Sequence, residues 1–109
     1  MATTIKQLGQ VRENSTDPVT VYSPAAATQT VIRNITICNQ SGAAATFSLY
    51  LDDDGSVSDA TTVLYNEEPI NKTWSIDTFL AMNNSAGNLM IKSSVANALT
   101  ITVSGVEIT

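Results

Sequence analysis

Histidine is absent from this chain of 109 residues, and cysteine occurs once. Without imidazole, Ser-His-Asp and Cys-His catalysis are excluded, as are zinc sites built on histidine. A single cysteine, Cys38, cannot form an intrachain disulfide, and no base is at hand to activate it as a nucleophile. It lies in the apolar run Ile35-Thr36-Ile37-Cys38, where a small buried hydrophobe is expected. Such cysteine usage suits manufacture in a reducing compartment.

Basic residues are also few. Five lysines and arginines stand against ten carboxylates, for a formal net charge of −5. Lys6, Arg12, Arg33, Lys72 and Lys92 are scattered, so no basic stripe exists to neutralise phosphates. Neither nucleic acid nor an anionic membrane is an expected partner. Charged residues make up 14% of the chain, well under the usual ~25%. Surface polarity must then come from Thr, Ser, Asn and Gln. No apolar run approaches the roughly 20 residues that span a bilayer. The start, Met1-Ala2-Thr3-Thr4-Ile5-Lys6, lacks the basic-then-apolar order of a secretory signal. The Asn-x-Ser/Thr triplets at Asn14, Asn34, Asn39, Asn71 and Asn83 therefore read as chance products of composition. A helical period is nowhere sustained. Paired carboxylates could serve a glycosidase, but Asp52 to Asp54, Asp59, Glu67 and Glu68 all fall at turn or edge positions. No enzyme activity and no cofactor are expected.

What the chain does have is strand pattern. In Val31 to Gly55, two runs of strand formers flank the turn Asn39-Gln40-Ser41-Gly42, and Asp52-Asp53-Asp54-Gly55 closes the unit. Ala45 to Asp52 alternates, with Phe47, Leu49 and Leu51 on one face and Thr46, Ser48 and Tyr50 on the other. In Thr30 to Asn39, Ile35 and Ile37 share a face and Cys38 takes the other. Arg33 falls in phase with those isoleucines, which a core would not accept unpaired. A β-bulge at Arg33-Asn34 would turn Ile32 inward and release the arginine.

Further strands are expected over Ile5–Val11 (broken by Gly9), Val19–Tyr22, Thr61–Asn66, Lys72–Leu80, Asn88–Ser94 and Leu99–Ile108. Pro69 confines its segment to an edge or loop. Trp74, Ile76 and Leu80 are in phase and read as core. In the last strand Leu99, Ile101 and Val103 share a phase that Val106 and Ile108 reverse, so a bulge or bend is expected at Gly105. About eight short strands at turn spacings of roughly 8–12 residues predict an all-β antiparallel sandwich or jelly roll. It forms one domain over residues 19–109. Residues 1–18 are either an N-terminal arm that pairs with a neighbouring subunit or an ordinary first strand.

Two kinds of site can be read from the residues. Asp52, Asp54 and Asp59, around a glycine turn, could offer oxygen ligands to calcium. EF-hand spacing fails there, and a solvated Asp-Gly turn explains the same residues. Tyr22, Tyr50 and Tyr65 are expected to be exposed, where they could stack on sugar rings or anchor a protein interface. Ile5, Leu8 and Val11 are the apolar residues an N-terminal arm would offer a neighbour.

The series VYSPAAATQTVIRNITICNQSGAAATFSLYL, LYNEEPINKTWSID and AGNLMIKSSVANALTITVSGVEI resembles small β-sandwich virion proteins of tailed bacteriophages. The likeness covers residues 19–109 and consists of a strand-and-turn pattern without a catalytic signature. It implies a structural component on the outer surface of a phage particle, made in the cytoplasm of a bacterial host. As a head decoration (cement) protein, the chain would bind the major capsid protein as a symmetric oligomer, a trimer in the first instance. A tail, baseplate or fibre-associated adaptor and a glycan-binding module are the alternatives.

Overall fold

The computed structural model describes residues 2–55 and 61–109. Eight strands follow one another: β1 (Thr3–Arg12), β2 (Val19–Tyr22), β3 (Gln29–Asn39), β4 (Ala45–Asp52), β5 (Val63–Ile70), β6 (Thr73–Met82), β7 (Asn88–Ser93) and β8 (Leu99–Ile108). No helix occurs among the described residues.

Their pairing has a simple logic. β1 pairs with β8, β2 with β7, β3 with β6 and β4 with β5, all antiparallel. The chain is thus one long hairpin folded about its middle. That hairpin then rolls, so that β3 also lies beside β8 and β4 beside β7. Two four-stranded sheets result, β1-β8-β3-β6 and β2-β7-β4-β5. This is a jelly roll. Thr3–Arg12 is a first strand of the sandwich, for β1 is an edge of its own chain's sheet.

The core lies between the inner faces. Ile32, Ile35 and Ile37 from β3 and Leu99, Ile101 and Val103 from β8 meet Phe47 and Leu49 from β4 and Leu89 and Ile91 from β7. Trp74 leans in from β6, with its ring edge-to-face against Phe47 at 4.9 Å and Tyr65 at 5.1 Å. At the β3–β4 turn, buried Asn39 donates to the carbonyls of Ala43 and Ile70 and accepts from Ser41. One side chain so closes the turn and ties it to the end of β5. Gly42 supplies the left-handed residue that turn needs (φ 79°).

The register shifts between Ile32 and Asn34 in β3. Ile32 turns inward and Arg33 is exposed, as the sequence suggested. Across this point β8 advances one residue (Ser104 to Gly105), β3 two (Asn34 to Ile32) and β6 three (Asp77 to Leu80). The sheet therefore fans open there.

Two expectations are corrected. No bulge lies in β8 at Gly105; the extra residues are on its neighbours, between Gln7 and Gly9 in β1 and at Arg33 in β3. Both neighbours crowd Gly105, where a Cβ would stand 2.1 Å from the Val31 carbonyl oxygen and 3.0 Å from Leu8 Cδ1. β8 thus alternates without interruption, and Val106 and Ile108 stay on the outer face. Cys38 is exposed rather than buried. It takes the face opposite Ile35 and Ile37, and on this sheet that face is the solvent side.

Candidate functional site

The apolar residues that break phase in three strands come together on the outer face of the β1-β8-β3-β6 sheet. Cross-strand register aligns Ile5 with Val106, Val106 with Val31, and Val31 with Ala81. Directly opposed residues of antiparallel strands share a face. The four side chains therefore make one apolar row across the whole sheet, about 14 Å from first strand to last. Ile108, opposite Gln29 and Thr3, begins a second row. Phe79 flanks the row from β6, with the Arg33 guanidinium over its ring at 5.8 Å from the centroid. Ile5 is 85% exposed and Phe79 68%. A shallow hollow of about 270 Å³ opens beside the row, with Val31, Phe79, Ala81 and Ile108 on its apolar side and Asp53 and Asn83 at its rim. Toward the other end the same face is polar. Gln10 donates to Thr102, Thr36 and Ser75 share a bond, and Asn34 donates to Asp77.

Behind the apolar end lies a polar clamp between the sheets. Tyr22, on β2, donates to the Glu107 carboxylate on β8 at 2.6 Å and accepts from the Thr30 hydroxyl at 2.6 Å. Lys6 on β1 pairs with Glu107 at 3.1 Å. Burial, reinforced by Glu107, pushes the Tyr22 phenol up to about 12. The bonds from Tyr22, then Lys6, hold the Glu107 carboxyl below its usual range.

Of the residues singled out from sequence, Ile5 is the one presented on this surface. Leu8 and Val11 are half-buried against the core, since the bulge at Gln7–Gly9 turns both inward. The expectation of three exposed tyrosines is corrected. Tyr22 is buried in the clamp. Tyr65 faces Trp74 between the sheets. Tyr50 lies on the outer face of the second sheet but is only 3% exposed, between Val63 of β5 and Met90 of β7. Beside it β5 is irregular, with Glu67 at φ 50° and its N–H on the Ser48 hydroxyl.

The acidic turn works for the backbone. Asp52 is buried, and its Oδ1 accepts from the N–H groups of Asp54 and Gly55. Asp53 Oδ1 accepts from those of Asn83 and Asn84. Asp59 lies outside the described residues. No cluster of three metal-ligating side chains occurs among the described residues.

Sequence reasoning missed Val31, Phe79, Ala81, Val106 and Ile108 as a surface. The signal was present in the phase reversal of Val106 and Ile108, which pointed to a bend when the strand runs straight.

No family model matches the chain, and no curated protein matches it. Among solved structures, a pentameric capsid protein isolated from metagenomic phage sequences is similar over 94% of this chain and 59% of its own length, at 14% identity and a TM-score of 0.42. The structure of infectious bursal disease virus, Gx strain, is similar over 97% of this chain and 28% of its own, at 11% identity and a TM-score of 0.37. The chain spans less than two thirds of either. Likeness of that grade carries no argument about what this chain does.

Proposed function

We propose that the chain is a non-enzymatic structural protein of a tailed-phage particle, bound to the outside of the head as a decoration protein. One observation carries this reading: an apolar row runs the full width of an exposed jelly-roll sheet. Scattered surface hydrophobes are ordinary, but a contiguous row rimmed by polar residues marks a contact surface. Burying Ile5 and Phe79 in a partner would supply about 1.5–3 kcal/mol each. The partner in this reading is the major capsid protein, with several copies of the chain acting together. Strand-and-turn resemblance to phage virion sandwiches, over residues 19–109, supports the same assignment. A tail or baseplate site uses the same surface and differs in copy number. Burial of Tyr22 and Tyr50 leaves the glycan-binding alternative without its aromatic platform.

Quantifying the protein in purified particles tests the proposal. Copy numbers on the scale of the head lattice support decoration, and those of a single ring move it to the tail. Absence from particles overturns it. Ile5→Ser, at the sheet edge remote from β6, should fold normally yet bind particles more weakly.

A further inference from the structure

A jelly roll has four strand edges, and native proteins blunt such edges against unwanted pairing. Three of them are blunted here. β2 is four residues long, between Pro18 and Pro24. β5 carries Pro69 and the left-handed Glu67. β1 is interrupted by its bulge, where Gly9 is pressed onto the Val21 carbonyl. β6 has an irregularity on its paired side, Thr78 and Phe79 against Arg33 of β3, but no shortening, proline or left-handed residue. It runs ten residues without proline or glycine, holds one charge, Asp77, and among the described residues pairs on one side alone. Its exposure alternates regularly from Thr73 to Leu80.

We propose that β6 is the joint between two copies of this chain, paired antiparallel about a two-fold axis at Thr78. The register follows from overlap and charge. In such a pair residue i opposes a residue of the other copy on the same face, so the axis passes through a pair of equivalent residues. Centring on Asp77 or Thr78 overlaps nearly all of β6. An axis at Asp77 would set two carboxylates against each other, which is unfavourable. An axis at Thr78 sets Asp77 beside Phe79 of the second copy, under the Arg33 guanidinium that covers that ring. The acid–base contact is made twice. On the inner face Ile76 then meets Leu80, and Trp74 meets Met82. These side chains share the core side of β6, and an edge position leaves the first three only half-covered. The two sheets become one of eight strands, and Phe79 is covered from both sides. A two-fold joint builds even-numbered assemblies, in place of the trimer favoured from sequence.

Light scattering on the purified full chain, over a concentration series, provides the test. A dimer is expected. Thr78→Cys in a Cys38→Ser background should cross-link under mild oxidation, and Thr73→Cys in the same background should not. Asp77→Lys places like charges together twice and should weaken association about tenfold. Arg33→Asp should do the same, and the double variant should restore it. A chain that stays monomeric up to about 1 mM overturns the proposal. So does a dimer that ignores both charge changes, or one that cross-links through position 73 instead. Solution mass reads this joint and particle composition reads the virion assignment, so either can fail alone.

Discussion

The most exposed anomaly at the residue scale is a carboxylate that is not exposed at all. Glu13 follows β1, is 1% exposed, and its carboxyl oxygens make no well-aligned hydrogen bond among the described residues, with the Ser15 N–H and hydroxyl the donors nearby. Its backbone is locked in place. The Glu13 N–H donates to Leu99, the Asn97 N–H donates to Glu13, and the Arg12 guanidinium grips the Asn97 carbonyl. Burial pushes the carboxyl up, the Asp17 charge adds to this, and Ser15 opposes it. A folded-state pKa raised above the unfolded value favours folding below pH 4.5, and this contribution is lost as pH rises through the folded value. Glu13→Gln should therefore stabilise the protein at pH 7 by on the order of 1 kcal/mol. The gain should vanish in acid, as paired urea melts at pH 7 and pH 4 would show. Tyr22 titrates at the other extreme. With its phenol raised from 10 to about 12, its contribution is complete below pH 10 and lost across pH 10 to 12. Tyr22→Phe leaves Glu107 and Thr30 short of a partner and should cost about 1–3 kcal/mol at neutral pH, with a flatter alkaline limb in the same melts. Neither property is legible in sequence, because each depends on what the fold brings to within 3 Å of a side chain.

At the scale of elements, the telling strand is β8. It lies between β1, whose extra residue Leu8 stands opposite Val103 and Ser104, and β3, whose extra residue Arg33 stands opposite Ser104 and Gly105. Only a residue without a side chain fits between the bulges. Gly105→Ala puts a methyl group 2.1 Å from the Val31 carbonyl oxygen. It should destabilise by about 1–3 kcal/mol or more, read as a lowered melting temperature. An unchanged melting temperature would show that the β3 bulge can move. The alternation of Phe47, Leu49 and Leu51 and the edge position forced by Pro69 were legible, since period and proline chemistry are local. The inward Ile32 was legible too, because an unpaired core arginine is costly enough to demand a bulge. Where the β8 irregularity sits was not. A phase change says that a register must shift somewhere, and the neighbouring strands decide which one shifts.

For the molecule as a whole, the chain's two ends are one structural unit. β1 and β8 pair along nearly their full lengths, from Thr3 with Ile108 to Arg12 with Thr100. Removing residues 2–16 would uncover the β8 edge and withdraw Leu8 and Val11 from the core. Loss of a cooperative thermal transition is the expected result. A cooperative melt in the shortened chain would make β1 a dispensable arm. By itself the sequence determined the all-β class, the strand positions and the poverty of catalytic groups. Those follow from side-chain period, turn residues and composition, which need no partner strand. Only tertiary structure decided which faces are wet. Cys38 and Tyr50 exchanged their expected places, since an outward residue on a sandwich is exposed or buried according to what lies over and beside it. The apolar row from Ile5 to Ala81 is likewise a product of register. Its four residues are far apart in the chain, and antiparallel pairing sets them side by side.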